Sequence, residues 1–108
     1  DCGIDDYGVR NLNLIELYAF NNPKITDINH MSNLQRLCAT CSCGIGDYGI
    51  RNLNLIELIA DGNFKITDVN HMTNLQKLYA EGDCGIDDYS IQNLDLIVLE
   101  NSWNHKIT

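Results

Sequence analysis

At 108 residues, with 44% hydrophobic residues, 15 acidic and 7 basic side chains and a formal charge of −8, the chain supports one modest folded unit. Such a field repels a nucleic-acid duplex, so nucleic-acid binding is not expected. No apolar run approaches the roughly 20 residues that span a bilayer, so no membrane partner is expected either. Five cysteines cannot all pair within one chain, and there is no Asn-x-Ser/Thr acceptor site; both favour a reducing, intracellular and cytoplasmic setting.

In chain order, the acidic pair Asp5-Asp6 opens a turn in which Asp bonds to local backbone, and Tyr7 is expected to fill the core beneath it. Leu14 to Ala19 reads as a short strand. Its period of 2 sends Leu17 and Ala19 inward and Glu16, Tyr18 and Phe20 outward. At Asn22 the chain must turn, and an amide side chain there can satisfy unpaired backbone groups. Ile25, Ile28 and Met31 are inward anchors of the return path, with His30 in a solvated or turn-bonding role. A second strand follows at Leu34 to Ala39, and then Cys38, Cys41 and Cys43 in a C-x-x-C-x-C spacing.

At Cys43 the pattern begins again. The segment 2–42 returns as 43–83 with 28 of 41 positions identical, and starts a third time at Cys84. Strands therefore recur at Leu55 to Ala60, Leu75 to Ala80 and Leu96 to Asn101, alternately 20 and 21 residues apart. In the other return path the inward anchors are Ile45, Tyr48, Ile50 and Leu53. Self-similarity at a fixed period indicates a stacked array rather than a globule around one central site.

Each unit reads L-x-x-L-x-A-x-x-N/S/D, closing on Asn22, Ser42, Asn63, Asp83 or Asn104. This resembles the leucine-rich repeat frame L-x-x-L-x-L-x-x-N/C-x-L over essentially the whole chain, with Ala in place of the third Leu. The paired short repeats carrying Ile-Thr-Asp-Ile/Val-Asn-His-Met are similar to leucine-rich repeat proteins encoded by giant DNA viruses of amoebae. The resemblance implies an α/β-type solenoid over residues 1–108: a right-handed superhelix of about five coils, a parallel concave sheet and a 3₁₀ or extended convex side. Stacked coils would set Asn22, Ser42, Asn63, Asp83 and Asn104 in one structural ladder. No capping coil is recognisable, so a section of a longer array, or end-to-end self-association, is expected.

Between the two full copies 13 positions differ, and eight of these fall in the windows 18–23 and 38–42 of the first copy. The inward positions hardly change. The outward positions form three expected columns: Glu16, Arg36, Glu57, Lys77 and Val98; Tyr18, Cys38, Ile59, Tyr79 and Glu100; Phe20, Thr40, Asp61, Glu81 and Ser102. From these, Tyr18, Phe20, Ile59, Asp61, Tyr79, Glu81 and Glu100 are the candidate contacts for a protein partner. Cys38, Cys41 and Cys43 are the weak candidates for a metal or redox site, against a reading of small reduced core cysteines. No Ser/His/Asp or Cys/His set and no phosphate-cradling glycine loop stands at a readable spacing, so neither catalysis nor a cofactor is expected.

Overall fold

The computed structural model describes residues 6–10 and 12–108. Cys2 and Asp5 lie outside the described residues. Five strands of three residues each form one parallel sheet in chain order: β1 (Glu16–Tyr18), β2 (Arg36–Cys38), β3 (Glu57–Ile59), β4 (Lys77–Tyr79) and β5 (Val98–Glu100). Each strand pairs with the next one coil later, so the chain is a solenoid of about four turns. The register aligns Leu17, Leu37, Leu58, Leu78 and Leu99 in one inward column. A layer of alanines follows, with Ala19, Ala39, Ala60 and Ala80 buried. The return paths add Ile25, Ile28 and Met31, then Ile45, Ile50 and Leu53, then Ile66, Val69 and Met72, to one continuous core, with Ile91 and Leu94 partly buried against it. Among the described residues helix is confined to single turns on the return path, an α-turn at Asp6–Val9 and 3₁₀ turns at Tyr48–Ile50 and Tyr89–Ile91.

The tyrosines expected in this core are on the surface instead. Tyr7, Tyr48 and Tyr89 are 70%, 69% and 77% exposed. The helical turn gives its inward place to Val9 or Ile50, and turns the ring outward. There the Arg10 and Arg51 guanidinium groups lie 3.8 Å from the Tyr7 and Tyr48 ring centroids.

The expected ladder also differs. Asn22, Asn63 and Asn104 are buried, but Ser42 and Asp83 are exposed. In those coils the buried place beyond the alanine belongs to Cys43 and Cys84, one residue later. This extra residue is the difference between the 20- and 21-residue spacings, and it is extruded to the surface. Buried asparagine and buried cysteine therefore alternate. The Asn63 amide donates to the Ala39 and Ile45 carbonyls of the preceding coil, at 2.7 and 2.9 Å, and accepts from Lys65 N. Asn104 repeats this with Ala80, Ile86 and Lys106. Cys43 Sγ accepts only from Ile45 N. Close coil contact follows at Gly44, where a Cβ would lie 2.2 Å from the Pro23 carbonyl oxygen.

The return path is stapled by a second series. Asp6 accepts from Thr26 N, Thr26 Oγ1 and Asp27 N one coil on. Asp47 does so with Thr67 and Asp68, and Asp88 with Thr108. His30 Nε2 donates to the Val9 carbonyl, and His71 Nε2 to that of Ile50. Asp6, Asp47 and Asp88 thus join coils, whereas Asp87 closes its own turn by accepting from Ser90 N and Oγ.

Asn63→Ala removes both donations to buried carbonyls, and is expected to destabilise by about 2–3 kcal/mol, read as a lowered urea midpoint. Burial opposes ionisation of Asp6, but the Thr26 hydroxyl and the Thr26 and Asp27 amides outweigh it and hold its pKa below the ordinary value. The Ser90 hydroxyl and amide do the same for Asp87, and the Thr108 hydroxyl and amide for Asp88. A lowered pKa stabilises fully above the unfolded value near ~3.9 and is lost as pH falls through the folded one. Urea midpoints against pH should therefore show the difference between the wild type and Thr26→Val widest near neutrality and shrinking below about pH 4.

Candidate functional site

The sheet places the outward columns in register. Glu16, Arg36, Glu57, Lys77 and Val98 are successive partners across the five strands, as are Tyr18, Cys38, Ile59, Tyr79 and Glu100. Arg36 bridges its neighbours, with Nη1 3.3 Å from Glu16 and Nε 3.6 Å from Glu57. These are solvated pairs, each worth a few tenths of a kcal/mol, and they align strands more than they stabilise them.

In the second column Tyr18 is 70% exposed, Glu100 is exposed, and Cys38, Ile59 and Tyr79 are half-buried. Between the first two columns lies a depression lined by Glu16, Tyr18, Arg36, Cys38, Glu57 and Ile59. Its volume of about 50 Å³ is small beside the roughly 300 Å³ at which small-molecule pockets begin. Broader open grooves flank Ile56, lined by Asn33, Asn54 and Asn74 on the approach to the strands. The Asn54 side-chain oxygen Oδ1 accepts from Asn74 N.

The third column is less uniform than its alternation suggests. Phe20 is exposed and Ser102 is exposed, but Thr40 is buried, and Asp61 and Glu81 are half-buried. Here the Asp61 carboxylate accepts from Glu81 N at 2.8 Å, which ties the exits of β3 and β4 together. The column ends at a left-handed residue in every coil: Asn21, Cys41, Gly62, Gly82 and Trp103, with φ between 53° and 68°. Asn and Gly accept this conformation readily, but Cys and Trp seldom do. The signal was present as Asn21, Gly62 and Gly82 at one phase of the repeat; Cys41 and Trp103 at the same phase concealed it.

Cys38, Cys41 and Cys43 are dispersed over three environments. Cys38 is half-buried on β2, Cys41 is exposed in the left-handed turn, and Cys43 is in the core. Among the described residues, no three His, Cys, Asp or Glu side chains converge as a metal-ligand set would. Burial raises the thiol pKa of Cys43 and of Cys84, which keeps both protonated. Among the described residues no helix is long and apolar enough to cross a membrane.

No protein-family model, curated protein or solved structure matches the chain.

Thiol labelling at neutral pH, read by peptide mass mapping, should modify exposed Cys41 ahead of Cys38, Cys43 and Cys84. Cys43 and Cys84 should react at least about tenfold more slowly until urea is added.

Proposed function

We propose that the chain is a leucine-rich-repeat-type scaffold that recognises a protein partner, without catalysis, through the outward face of its parallel sheet. The observation that carries this reading is where the two copies differ. The residues that seal the coils are nearly invariant between 2–42 and 43–83, whereas Tyr18/Ile59, Phe20/Asp61 and Cys38/Tyr79 differ along the outward columns, as does the pair of buried Thr40 with half-buried Glu81. Recognition surfaces need a fixed frame and variable contacts, and this distribution supplies both. Tyr18 and Phe20 offer exposed aromatic surface at β1, with Cys38, Ile59 and Tyr79 following in the same column on β2, β3 and β4, and Asp61, Glu81 and Glu100 as the acidic flank. Aromatic side chains of this kind dominate binding energy where a partner desolvates them. Strands already ordered in the free protein lose little entropy on docking. On this reading the solenoid is a right-handed superhelix and the sheet its concave side.

The test is a quantitative capture comparison among the wild type, Tyr18→Ala with Tyr79→Ala, and Tyr48→Ala on the return path. A partner of the sheet face is retained by the wild type and by Tyr48→Ala and is lost at least tenfold with the double substitution. All three proteins should unfold within about 1 kcal/mol of one another. A partner held equally by all three removes the sheet face as its site.

A further inference from the structure

The charged column of the sheet is its own complement. Across β1 to β4 it reads Glu16, Arg36, Glu57 and Lys77, acid and base in alternation. A two-fold axis laid along the strand direction, between β2 and β3, turns the sheet over and reverses this order. It sets β1 against β4 of a second copy, and β2 against β3. Each acid then faces a base: Glu16 meets Lys77 of the second copy, and Arg36 meets Glu57. The reciprocal contacts follow by symmetry, as an isologous interface requires.

The apolar column obeys the same axis. It reads Tyr18, Cys38, Ile59 and Tyr79, with a tyrosine at each end. Tyr18 meets Tyr79 of the second copy, and Cys38 meets Ile59. Strict repetition of the first copy would give Tyr, Cys, Tyr, Cys, in which every tyrosine meets a cysteine. The differences Tyr18/Ile59 and Cys38/Tyr79 are what make the column symmetric. The relief agrees, because the depression of about 50 Å³ is lined by Cys38 between Tyr18 and Ile59, and Ile59 of the second copy lies opposite it. Further along the strands Asp61 lies opposite Thr40 and Glu81 opposite Phe20, so no carboxylate of these columns meets another across the axis. An axis along the stack of coils would instead lay the charges over the tyrosines and pair none of them.

We infer that the sheet face is an interface between two copies of this chain related by the axis between β2 and β3. This assignment rests on the sheet-face reading and names the occupant as a second copy. Alternating charge selects the partner and the register more than it sets the strength. Four strands about 4.8 Å apart, with outward side chains over about five residues of ~3.3 Å, offer roughly 300 Å² per copy. Standard interfaces bury about 800 Å² per partner, so the pair is a weak dimer that forms only at high concentration. Where the sheet is concave its ends meet first, and Tyr18, Tyr79, Glu16 and Lys77 are at those ends.

The test is charge reversal in the full chain, read by sedimentation over a wide concentration range. Glu16 and Lys77 are exposed, so reversing them leaves the core untouched. Glu16→Lys sets base against base at both symmetric contacts, and Lys77→Glu sets acid against acid. Each should weaken the dimer at least about tenfold. The first lowers the net negative charge and the second raises it, so a loss common to both is not an effect of net charge. The double variant restores both opposing pairs and should recover wild-type association to within about threefold. The two residues are three strands apart, roughly 14 Å, too far to pair within one chain, so recovery reports contact between copies. A wild type that stays monomeric at every concentration overturns the assignment. So do single variants that associate as the wild type does, and a double variant that fails to recover. Where one of these occurs and Tyr18→Ala with Tyr79→Ala still releases a captured partner, the sheet-face reading stands and its occupant is another protein.

Discussion

Stacking in this solenoid depends on satisfying the carbonyl that every second strand exit turns away from the sheet; at Ala19 and Ala60 the N–H of Asn22 or Asn63 in the same turn takes it up. At Ala39 and Ala80 that group points toward the following coil, where no strand N–H reaches it. The buried amides of Asn63 and Asn104 take it up, together with the carbonyls of Ile45 and Ile86, and so tie each such coil to its predecessor. An unpaired carbonyl in this interior would oppose stacking by an amount comparable to the stabilisation from a buried leucine. Among the described residues no buried side-chain nitrogen or oxygen lacks a partner. Leucine burial supplies the drive to stack, and the asparagines decide the register in which stacking happens.

Much of this was legible in the chain itself. The strand centres at Leu17, Leu37, Leu58 and Leu78, the alanine layer and the column order across the sheet all follow from a 20–21-residue spacing and a period of 2. Return-path geometry was not legible to the same degree. A helical turn and an extended segment place their third residue on opposite sides, and nothing local distinguishes the two for Asp-Tyr-Gly-Ile. Tyr48 was accordingly assigned to a core it does not enter. Ser42 and Asp83 misled for a different reason: counting from the strand assumes equal exits, and one coil type carries an extra residue there. The aspartate–threonine staples join residues 20 apart, such as Asp47 and Thr67, and a spacing close to the coil length was their only trace.

The candidate site was legible as a set of columns but not as a relief. Alternation alone treats Thr40 and Phe20 alike, yet one is buried and the other is open. The left-handed turn follows both; what separates them is that Thr40 leaves β2, which has a strand on either side, whereas Phe20 leaves β1, which pairs on one side. The outcome is a face whose aromatic end, around Tyr18 and Phe20, stands proud of the sheet. The acidic residues Asp61 and Glu81 sit lower.

The alternation of amide-closed and thiol-closed coils has a consequence for how such a protein can change its length. Adding or deleting one coil would bring two exits of the same kind together and shift every downstream contact between return paths. Adding or deleting 41 residues would restore each asparagine, each staple and each close glycine approach to its proper neighbour. Whole 41-residue pairs are therefore the unit in which such a chain can lengthen or shorten without breaking its contacts, and 2–42 and 43–83 are two such units with 28 of 41 positions identical.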